Sequence, residues 1–195
     1  CGTSTQNGTI IEFIPDADIF EVVEYNYETL ADRMRELSYL NQGIVITLTD
    51  ERVLAEPAEG EEKVEGVYKT ETFFSENGLR DFVEYLDSTR EGLISDVIHM
   101  SGEKSGVPVE VAMTYNTSYS ENLFSYVNNI NTHEGGTHLS GFRRGLTNTL
   151  KKYADSSGML NKLKFDISGD DFREGLTAVV SVKVAEPQFQ GQTKT

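Results

Sequence analysis

The feature that most constrains the fold is a stretch of helical periodicity set between segments of strand periodicity. After the Gly135-Gly136 turn, apolar side chains recur at helical spacing, namely Leu139, Phe142, Leu146, Leu150 and Tyr153. Strands are predicted on both sides of this helix, near 121–130 and from Leu176 to Val184. A further strand is predicted at 107–116, where one face carries Val109, Val111, Met113 and Tyr115. Together these patterns predict an α+β protein.

The first half of the chain carries its own alternation of elements. The predicted order is a strand at 8–14, a helix at 26–41, a strand from 44, an acidic hairpin tip or insertion at 51–66, a return strand at 67–74, and a helix capped by Ser75. The two helices are predicted from the spacing of Tyr27, Leu30, Met34 and Leu37, and of Leu79, Phe82, Val83 and Leu86. Residues 87–92 have no periodicity and form the predicted domain boundary, and another strand is predicted at 94–101.

The charge of the chain is strongly acidic but unevenly distributed. The 195 residues hold 17 bases and 32 acids, a formal net charge of −15. A uniformly acidic surface would repel nucleic acid and anionic membranes. Residues 137–153, however, contain four bases and no acid, so the net charge does not exclude a local site for an anion.

Other features of the sequence concern its cellular context. No apolar run is long enough for an ordinary transmembrane helix. The single cysteine cannot form an internal disulfide, which favours a reducing compartment, and we therefore predict a cytoplasmic protein. The sequence begins Cys1-Gly2-Thr3-Ser4, with neither Met nor a targeting segment, which suggests a piece excised from a longer protein.

Taken one by one, the polar residues define no catalytic centre. The three histidines, His99, His133 and His138, lack the spacing of a zinc site, and no metal site is predicted. The adjacent Asp170 and Asp171 suit a solvated turn better than a catalytic pair. The predicted helix at 137–153 is more informative, because Arg143 and Lys151, and likewise Arg144 and Lys152, lie eight residues apart. They form either an ordinary solvated face or a surface for a polyanion or an acidic partner.

A series of motifs resembles one protein family over essentially the whole chain. The sequence Asn-Asn-Ile-Asn-Thr-His-Glu-Gly-Gly-Thr-His at 128–138 resembles the B subunits of bacterial DNA gyrases, which are type IIA topoisomerase ATPase subunits. Further matches occur, in the same order as in the family, at Gly8-Thr9, 37–41, Thr49-Asp50, 141–143, 173–176, 180–183 and 192–194.

This resemblance implies an architecture of two domains. Residues 1–88 correspond to the C-terminal part of the GHKL ATPase domain. Residues 89–195 correspond to the transducer domain, whose βαβ fold is ribosomal protein S5 domain 2-like. The family's Mg-binding Asn and catalytic Glu would precede Cys1. ATP and Mg2+ are therefore expected in the full-length parent, and neither is expected on this fragment, which should be inactive alone.

The resemblance also implies site residues and partners. Thr9 and Ile11 correspond to the adenine pocket. Gln192 and Lys194 correspond to a Gln-Thr-Lys loop that reaches the γ-phosphate, where they would act in catalysis by electrostatic stabilisation. Arg143, Arg144, Lys151 and Lys152 would face DNA in a clamp. The implied partners are DNA, DNA gyrase A and a second copy of the gyrase B chain, with no membrane.

Two alternatives remain open at the level of the sequence. The related topoisomerase IV subunit shares these motifs. A non-enzymatic module could also bind nucleic acid or protein through the basic helix at 137–153. In either case the role of the acidic segment at 51–72 is undetermined.

Overall fold

The computed structural model of the chain describes residues 7–54, 67–159 and 167–191. Three α-helices and seven strands lie within them. The helices are α1 (Tyr27–Leu40), α2 (Leu79–Asp87) and α3 (Thr137–Ser156). The strands are β1 (Ile46–Leu54), β2 (Tyr68–Phe73), β3 (Ile98–Lys104), β4 (Val107–Tyr115), β5 (Asn122–Val127), β6 (Ile130–Asn131) and β7 (Leu176–Val182).

Helix α1 and the β1–β2 hairpin form a small unit at the start of the described chain. Asn26 caps α1, because its side-chain oxygen accepts a hydrogen bond from the Thr29 N–H at 2.9 Å. Tyr27 and Ala31 on α1 pack against Phe73 of β2, which pairs with Ile46 across the hairpin. The pairing of β1 with β2 shifts register after Asp50, whose carboxylate accepts hydrogen bonds from the backbone and guanidinium of Arg52.

The second sheet has five strands in the order β3-β4-β7-β5-β6. Strand β7 runs antiparallel to β4 and parallel to β5. Parallel neighbours need a crossover connection, and α3 lies in the connection from β5 to β7. The crossover places β7 in the middle of the sheet, and all seven of its residues are buried.

The five-stranded sheet is covered by helices on both faces. On one face Leu79, Phe82 and Val83 of α2 pack against Ala112, Tyr126 and Val179, together with Leu40 of α1. On the other face Leu139 of α3 packs against Val111 and Val180. Successive side chains of a strand point to opposite faces. The result is a three-layer arrangement, and it explains why β7 is apolar along most of its length.

Several sequence predictions are confirmed. The α+β class is correct, as are α1, the β1–β2 hairpin, α2, α3 and the strands at β4, β5 and β7. The shared face of Val109, Val111, Met113 and Tyr115 is the face covered by α3. The acidic hairpin tip or insertion was predicted to begin at 51, but residues 51–54 belong to β1. The rest of that segment, 55–66, lies outside the described residues.

Other predictions are wrong in detail. Residues 8–14 form no strand, because no strand among the described residues lies beside them to supply hydrogen-bond partners. Tyr153 is 62% exposed and does not join the apolar face of α3. Ser75 is not the N-cap of α2; that position is Gly78, whose N–H donates to Ser75 Oγ at 2.8 Å. The strand predicted at 94–101 begins at Ile98, and β5 ends at Val127.

Candidate functional site

Helix α3 begins at a turn that only glycine can make easily. Gly135 and Gly136 have φ of 85° and 156°, and a Cβ on Gly136 would lie 2.9 Å from the ring of His138. The His138 Nε2 atom lies 3.2 Å from Thr132 Oγ1 on the preceding segment. Burial lowers the pKa of His138, so the imidazole is neutral at neutral pH. His138 thus acts as a structural turn residue, as its place in the sequence indicates.

The four basic residues of α3 occupy two different environments. Arg143 is half-buried, and its guanidinium forms an ion pair with Glu121, with Nη2 and Oε2 2.9 Å apart. Glu121 also pairs with Arg173, whose Nε lies 2.8 Å from Oε1. Arg144, Lys151 and Lys152 are exposed. Arg143 is therefore paired with a carboxylate that it shares with Arg173, whereas the other three side chains present their charge to solvent.

Helical geometry explains this division. Eight residues advance a helix by two turns plus about 80°, whereas seven residues fall only about 20° short of two turns. Arg144 therefore lies in line with Lys151. Arg143 instead lies in line with Leu150 and the buried Ala154. The eight-residue pairs noted in the sequence do not share a line, and the exposed cations form one surface around Arg144, Lys151 and Lys152.

Thr9 and Ile11 lie in an extended, exposed segment. Ile11 is 82% exposed, and neighbouring apolar side chains are also open to solvent, with Ile10 at 96% and Ile14 at 92%. No described residue covers Thr9 or Ile11. A hydroxyl beside an aliphatic side chain has the chemistry to meet the polar edge and the flat face of a nucleotide base. The described residues do not enclose such a base by themselves.

Gln192 and Lys194 lie outside the described residues, but the chain that leads to them is described. After β7 the chain passes through Pro187 and Phe189, which line a cavity of about 530 Å³. The opposite wall is formed by Val127, Val182 and the start of α3 at His138. The described part of this tail therefore lies beside the beginning of α3.

Two polar clusters were missed by the sequence analysis. The turn Asn128-Asn129 joins β5 to β6, and both residues have positive φ, 51° and 65°. The second cluster is centred on the buried Asp87 at the end of α2, which accepts hydrogen bonds from Asn116 and Thr177. An Asn-Asn pair between apolar strand residues is a recognisable hairpin signal. The partners of Asp87 are distant in sequence and left no such signal.

The described residues contain neither a metal-binding cluster nor a membrane-spanning helix. No group of three or more His, Cys, Asp or Glu side chains is arranged to hold a metal ion in 7–54, 67–159 and 167–191. Among the same residues, no helix is both long and apolar enough to cross a membrane.

Comparison with solved structures defines the class of protein. The structure is similar to the 43K ATPase domain of Thermus thermophilus gyrase B, solved in complex with an aminocoumarin, with a TM-score of 0.74 and 30% identity over 91% of this chain and 44% of that chain. It shares its fold with the topoisomerase IV ATP-binding domain of Francisella tularensis, at a TM-score of 0.68 and 22% identity over 92% of this chain and 44% of that chain. The fold is therefore the one found in the ATPase regions of gyrase B and topoisomerase IV.

Sequence comparison identifies the family. The family model described as DNA gyrase B matches residues 78–195, and the chain belongs to the DNA gyrase B family. It is 63% identical over 194 residues to the DNA gyrase B of Cytophaga aurantiaca, covering 100% of this chain and 39% of that protein. It is 48% identical over 195 residues to the DNA gyrase B of Halalkalibacterium halodurans, covering 100% of this chain and 29% of that protein. The chain thus spans well under half the length of these relatives.

Proposed function

We propose that this chain is part of the ATP-operated clamp of a bacterial DNA gyrase, a type II topoisomerase, and couples ATP binding and hydrolysis to DNA strand passage and supercoiling. The observation that carries the proposal is the 63% identity to a DNA gyrase B along the whole chain. The similarity to the ATPase domain of a solved gyrase B supports it. On this proposal the parent protein acts in the cytoplasm with DNA gyrase A, DNA and a second copy of itself.

We infer two functional domains, the end of a GHKL ATPase domain at 1–88 and a transducer domain at 89–195. The separation of the β1–β2 sheet from the five-stranded sheet supports this division. So does the irregular connection between the end of α2 at Asp87 and the start of β3 at Ile98. Helices α1 and α2 contribute Leu40, Leu79 and Phe82 to the core of the five-stranded sheet. A movement of one domain would therefore be transmitted to the other through this shared core.

In the full-length parent, four residues of this chain would contact ATP. The Thr9 hydroxyl and the Ile11 side chain would meet the base, and the Gln192 amide and Lys194 ammonium would meet the γ-phosphate. Bound ATP, with Mg2+, supplies a phosphoryl group whose transfer to water releases free energy. The ammonium provides three donors and a full positive charge, and the amide adds a neutral donor. Neither side chain needs to accept a proton. Their role is to stabilise the negative charge that develops on the γ-phosphate and to lose this contact once hydrolysis has removed that group.

The first prediction concerns Lys194 in the full-length parent. A charge-assisted contact to the γ-phosphate is available only in the triphosphate state. Lys194→Ala should therefore leave ATP binding largely unchanged and lower single-turnover hydrolysis at saturating ATP by about a hundredfold, the loss typical of removing a transition-state donor. A rate within about threefold of the parent would contradict this role, because it corresponds to less than about 1 kcal/mol of barrier.

The second prediction concerns the chain by itself. The residues that would bind Mg2+ and activate water are expected to precede Cys1 in the parent. Base contacts at Thr9 and Ile11 do nothing for the transition state of hydrolysis. Steady-state phosphate release by the purified 195-residue chain should therefore equal that of buffer. Release clearly above buffer, and absent from a mock preparation, would contradict this prediction.

One experiment tests the proposed function as a whole. The full-length parent, mixed with the gyrase A of the same organism, should introduce negative supercoils into relaxed DNA in the presence of ATP. Decatenation without supercoiling would instead indicate the topoisomerase IV subunit. Absence of both activities, with retained binding of nucleic acid or protein, would indicate the non-enzymatic module.

A further inference from the structure

The turn between β5 and β6 is built from two residues in a conformation that favours glycine. Asn128 and Asn129 have φ of 51° and 65°, and Val127 pairs with Ile130 on either side of them. Two-residue hairpins of this kind usually carry Asn or Gly first and Gly second. Asparagine at the second position costs more than glycine, because its Cβ is crowded in the left-handed region. The hydrogen bonds that both asparagine side chains form explain why asparagine is present in spite of that cost.

Asn128 holds the chain where it leaves the central strand. Its backbone N–H donates to Val182 O, the last residue of β7, at 2.9 Å. Its side-chain Nδ2 donates to Val184 O at 2.7 Å, and its Oδ1 accepts from Val184 N at 2.8 Å. The amide group thus bonds both polar atoms of the Val184 backbone, in place of a neighbouring strand. One side chain therefore holds the Val184 backbone, next to Lys183, whose N–H donates to Pro108 O at 3.0 Å.

Asn129 connects the same turn to helix α1. Its Nδ2 donates to Asn41 Oδ1 at 2.7 Å, and its backbone oxygen accepts from Arg33 Nη2 at 2.9 Å. Asn41 is the C-cap residue of α1 and also donates to Leu37 O at 2.8 Å. The Asn129 side-chain oxygen in turn accepts a hydrogen bond from Lys183 Nζ. One turn therefore bonds both the end of α1 and the start of the tail.

A second link strengthens the connection to α1. Arg33 forms an ion pair with Glu36, and Glu36 accepts a hydrogen bond from the hydroxyl of Tyr126. Tyr126 lies on β5, two residues before the turn, and is 1% exposed. The turn is thus held to α1 by Asn129 and by the neighbouring Tyr126, and a shift of α1 relative to the sheet would strain the turn whose Asn128 holds Val184.

We propose that the Asn128-Asn129 turn is a positioning element that ties the departure direction of the tail carrying Gln192 and Lys194 to the position of helix α1. The proposal rests on the role proposed above for Lys194. From Val184 to Lys194 is ten residues, a reach of at most about 33–36 Å. The described part of this path passes Pro187 and Phe189 beside the start of α3, so a change of direction at Val184 would displace the path and alter how often the ammonium reaches its target, without Asn128 or Asn129 touching the nucleotide.

The test uses substitutions that preserve the turn. Asn128→Gly keeps the left-handed backbone and removes both side-chain bonds to Val184. Asn129→Gly keeps the turn and removes the bonds to Asn41 and Lys183. The matched control is Ser105→Gly, at the other non-glycine turn residue of a two-residue hairpin, with φ 54°, on the edge of the sheet between β3 and β4.

Two measurements on the full-length parent decide the matter. In nucleotide-free protein, amide exchange at Val184 should become at least tenfold faster with Asn128→Gly, less so with Asn128→Asp, which keeps one acceptor, and not with Ser105→Gly. At saturating ATP, single-turnover hydrolysis should fall about tenfold with Asn128→Gly and with Asn129→Gly, while the Kd for ATP and the Tm remain close to those of the parent. A merely structural role would move the Tm and not separate binding from turnover.

The outcomes distinguish this inference from the proposal beneath it. Unchanged exchange at Val184 in Asn128→Gly would overturn the positioning role. So would faster exchange with hydrolysis within twofold of the parent, provided that Lys194→Ala shows its expected defect. Unchanged hydrolysis in Lys194→Ala would instead overturn the role of Lys194, and with it the reason for positioning the tail.

Discussion

At the scale of single residues, one buried carboxylate joins the two halves of the described structure. Asp87 ends α2, and its Oδ1 accepts hydrogen bonds from Asn116 Nδ2 at 2.7 Å and from Thr177 Oγ1 at 2.8 Å. Asn116 is 1% and Thr177 0% exposed, so neither donor has ready access to water. The adjacent Gly175 has φ 74°, and a Cβ there would lie 2.3 Å from Asn116 O. The end of β4, the start of β7 and α2 therefore meet in one closely packed cluster.

Removing that carboxylate should cost much of the stability of the chain. Asp87→Ala would leave the buried Thr177 hydroxyl without an acceptor and Asn116 Nδ2 with only its 3.2 Å contact to Thr177 Oγ1, at about 1–3 kcal/mol for each group whose hydrogen bond is lost. We expect the free energy of unfolding to fall by about 3 kcal/mol, measured by urea denaturation of the purified chain near neutral pH. The control is Glu84→Ala on the exposed face of the same helix, expected within about 0.5 kcal/mol of the parent. A loss below about 1 kcal/mol in Asp87→Ala would contradict the importance of this cluster.

At the scale of elements, the sequence was informative where an element's own side chains decide its structure. Helices α1 and α3 follow from their apolar periodicity, in which Tyr27 and Leu139 are buried and Met34, Phe142 and Leu146 pack partly buried against the core. Strand β7 follows from a continuous run of apolar and β-branched residues, all of them buried. The strand predicted at 8–14 fails because a strand also needs a partner, which local sequence does not encode. Tyr153 fails because its neighbour Ala154 is the buried residue of the last turn of α3, and successive residues of a helix point about 100° apart.

The same distinction applies to the candidate site, where features set by local sequence could be predicted and long-range contacts could not. The cations of α3 could be predicted as a group, since they follow from composition and a helical pattern. The ion pair between Arg143 and Glu121 could not be predicted from the sequence. Glu121 lies directly before β5, and it meets helix α3 only through the packing of the sheet. The bonds of Asn128 and Asn129 to Val184 and Asn41 are long-range in the same way.

The beginning of α2 carries a carboxylate that makes the stability of the fold depend on pH. Burial by itself would raise the pKa of Asp81, but hydrogen bonds from Ser75 and from the backbone and side chain of Asn77 outweigh it and hold the pKa below its ordinary value. A carboxylate with a lowered pKa stabilises the fold above its unfolded pKa of about 4, and this contribution is lost as the pH falls through the folded pKa.

Asp81→Asn should therefore be less stable than the parent at about pH 6, with the difference shrinking towards about pH 3. The physical reason is that acid protonates the Asp81 carboxylate and so removes the stabilisation that its ionised form provides. The variant lacks this stabilisation at every pH. Urea denaturation at a series of pH values measures it, with Glu84→Gln on the same helix as the control. A difference that stays constant across this range would show that the effect is not one of ionisation.

At the scale of the whole molecule, charge is the property that sets the expected behaviour towards DNA. The net charge of −15 opposes approach to a polyanion, and the exposed cations of α3 provide a local exception. Because Arg143 is paired with Glu121, the exposed surface for phosphates is expected to be Arg144, Lys151 and Lys152. Contacts of this kind are blind to sequence, as the passage of a DNA segment through a clamp requires.

The salt dependence of DNA binding tests this surface. Each phosphate neutralised contributes about 0.9 to the slope of log K against log salt, so replacing Arg144, Lys151 and Lys152 with Gln should make the slope shallower by about 2.7. Arg143→Gln should change it by less, and Lys104→Gln, on the edge strand β3 and away from α3, should leave the slope unchanged. Fluorescence anisotropy with a short duplex, between about 50 and 200 mM salt, provides the slopes. In the full-length parent, Arg144→Glu with Lys151→Glu should then reduce supercoiling and DNA-stimulated hydrolysis more than basal hydrolysis, because the proposed function assigns this surface to DNA and not to the nucleotide. An unchanged slope in the triple variant, with normal supercoiling in the parent, would make this face of α3 an ordinary solvated surface.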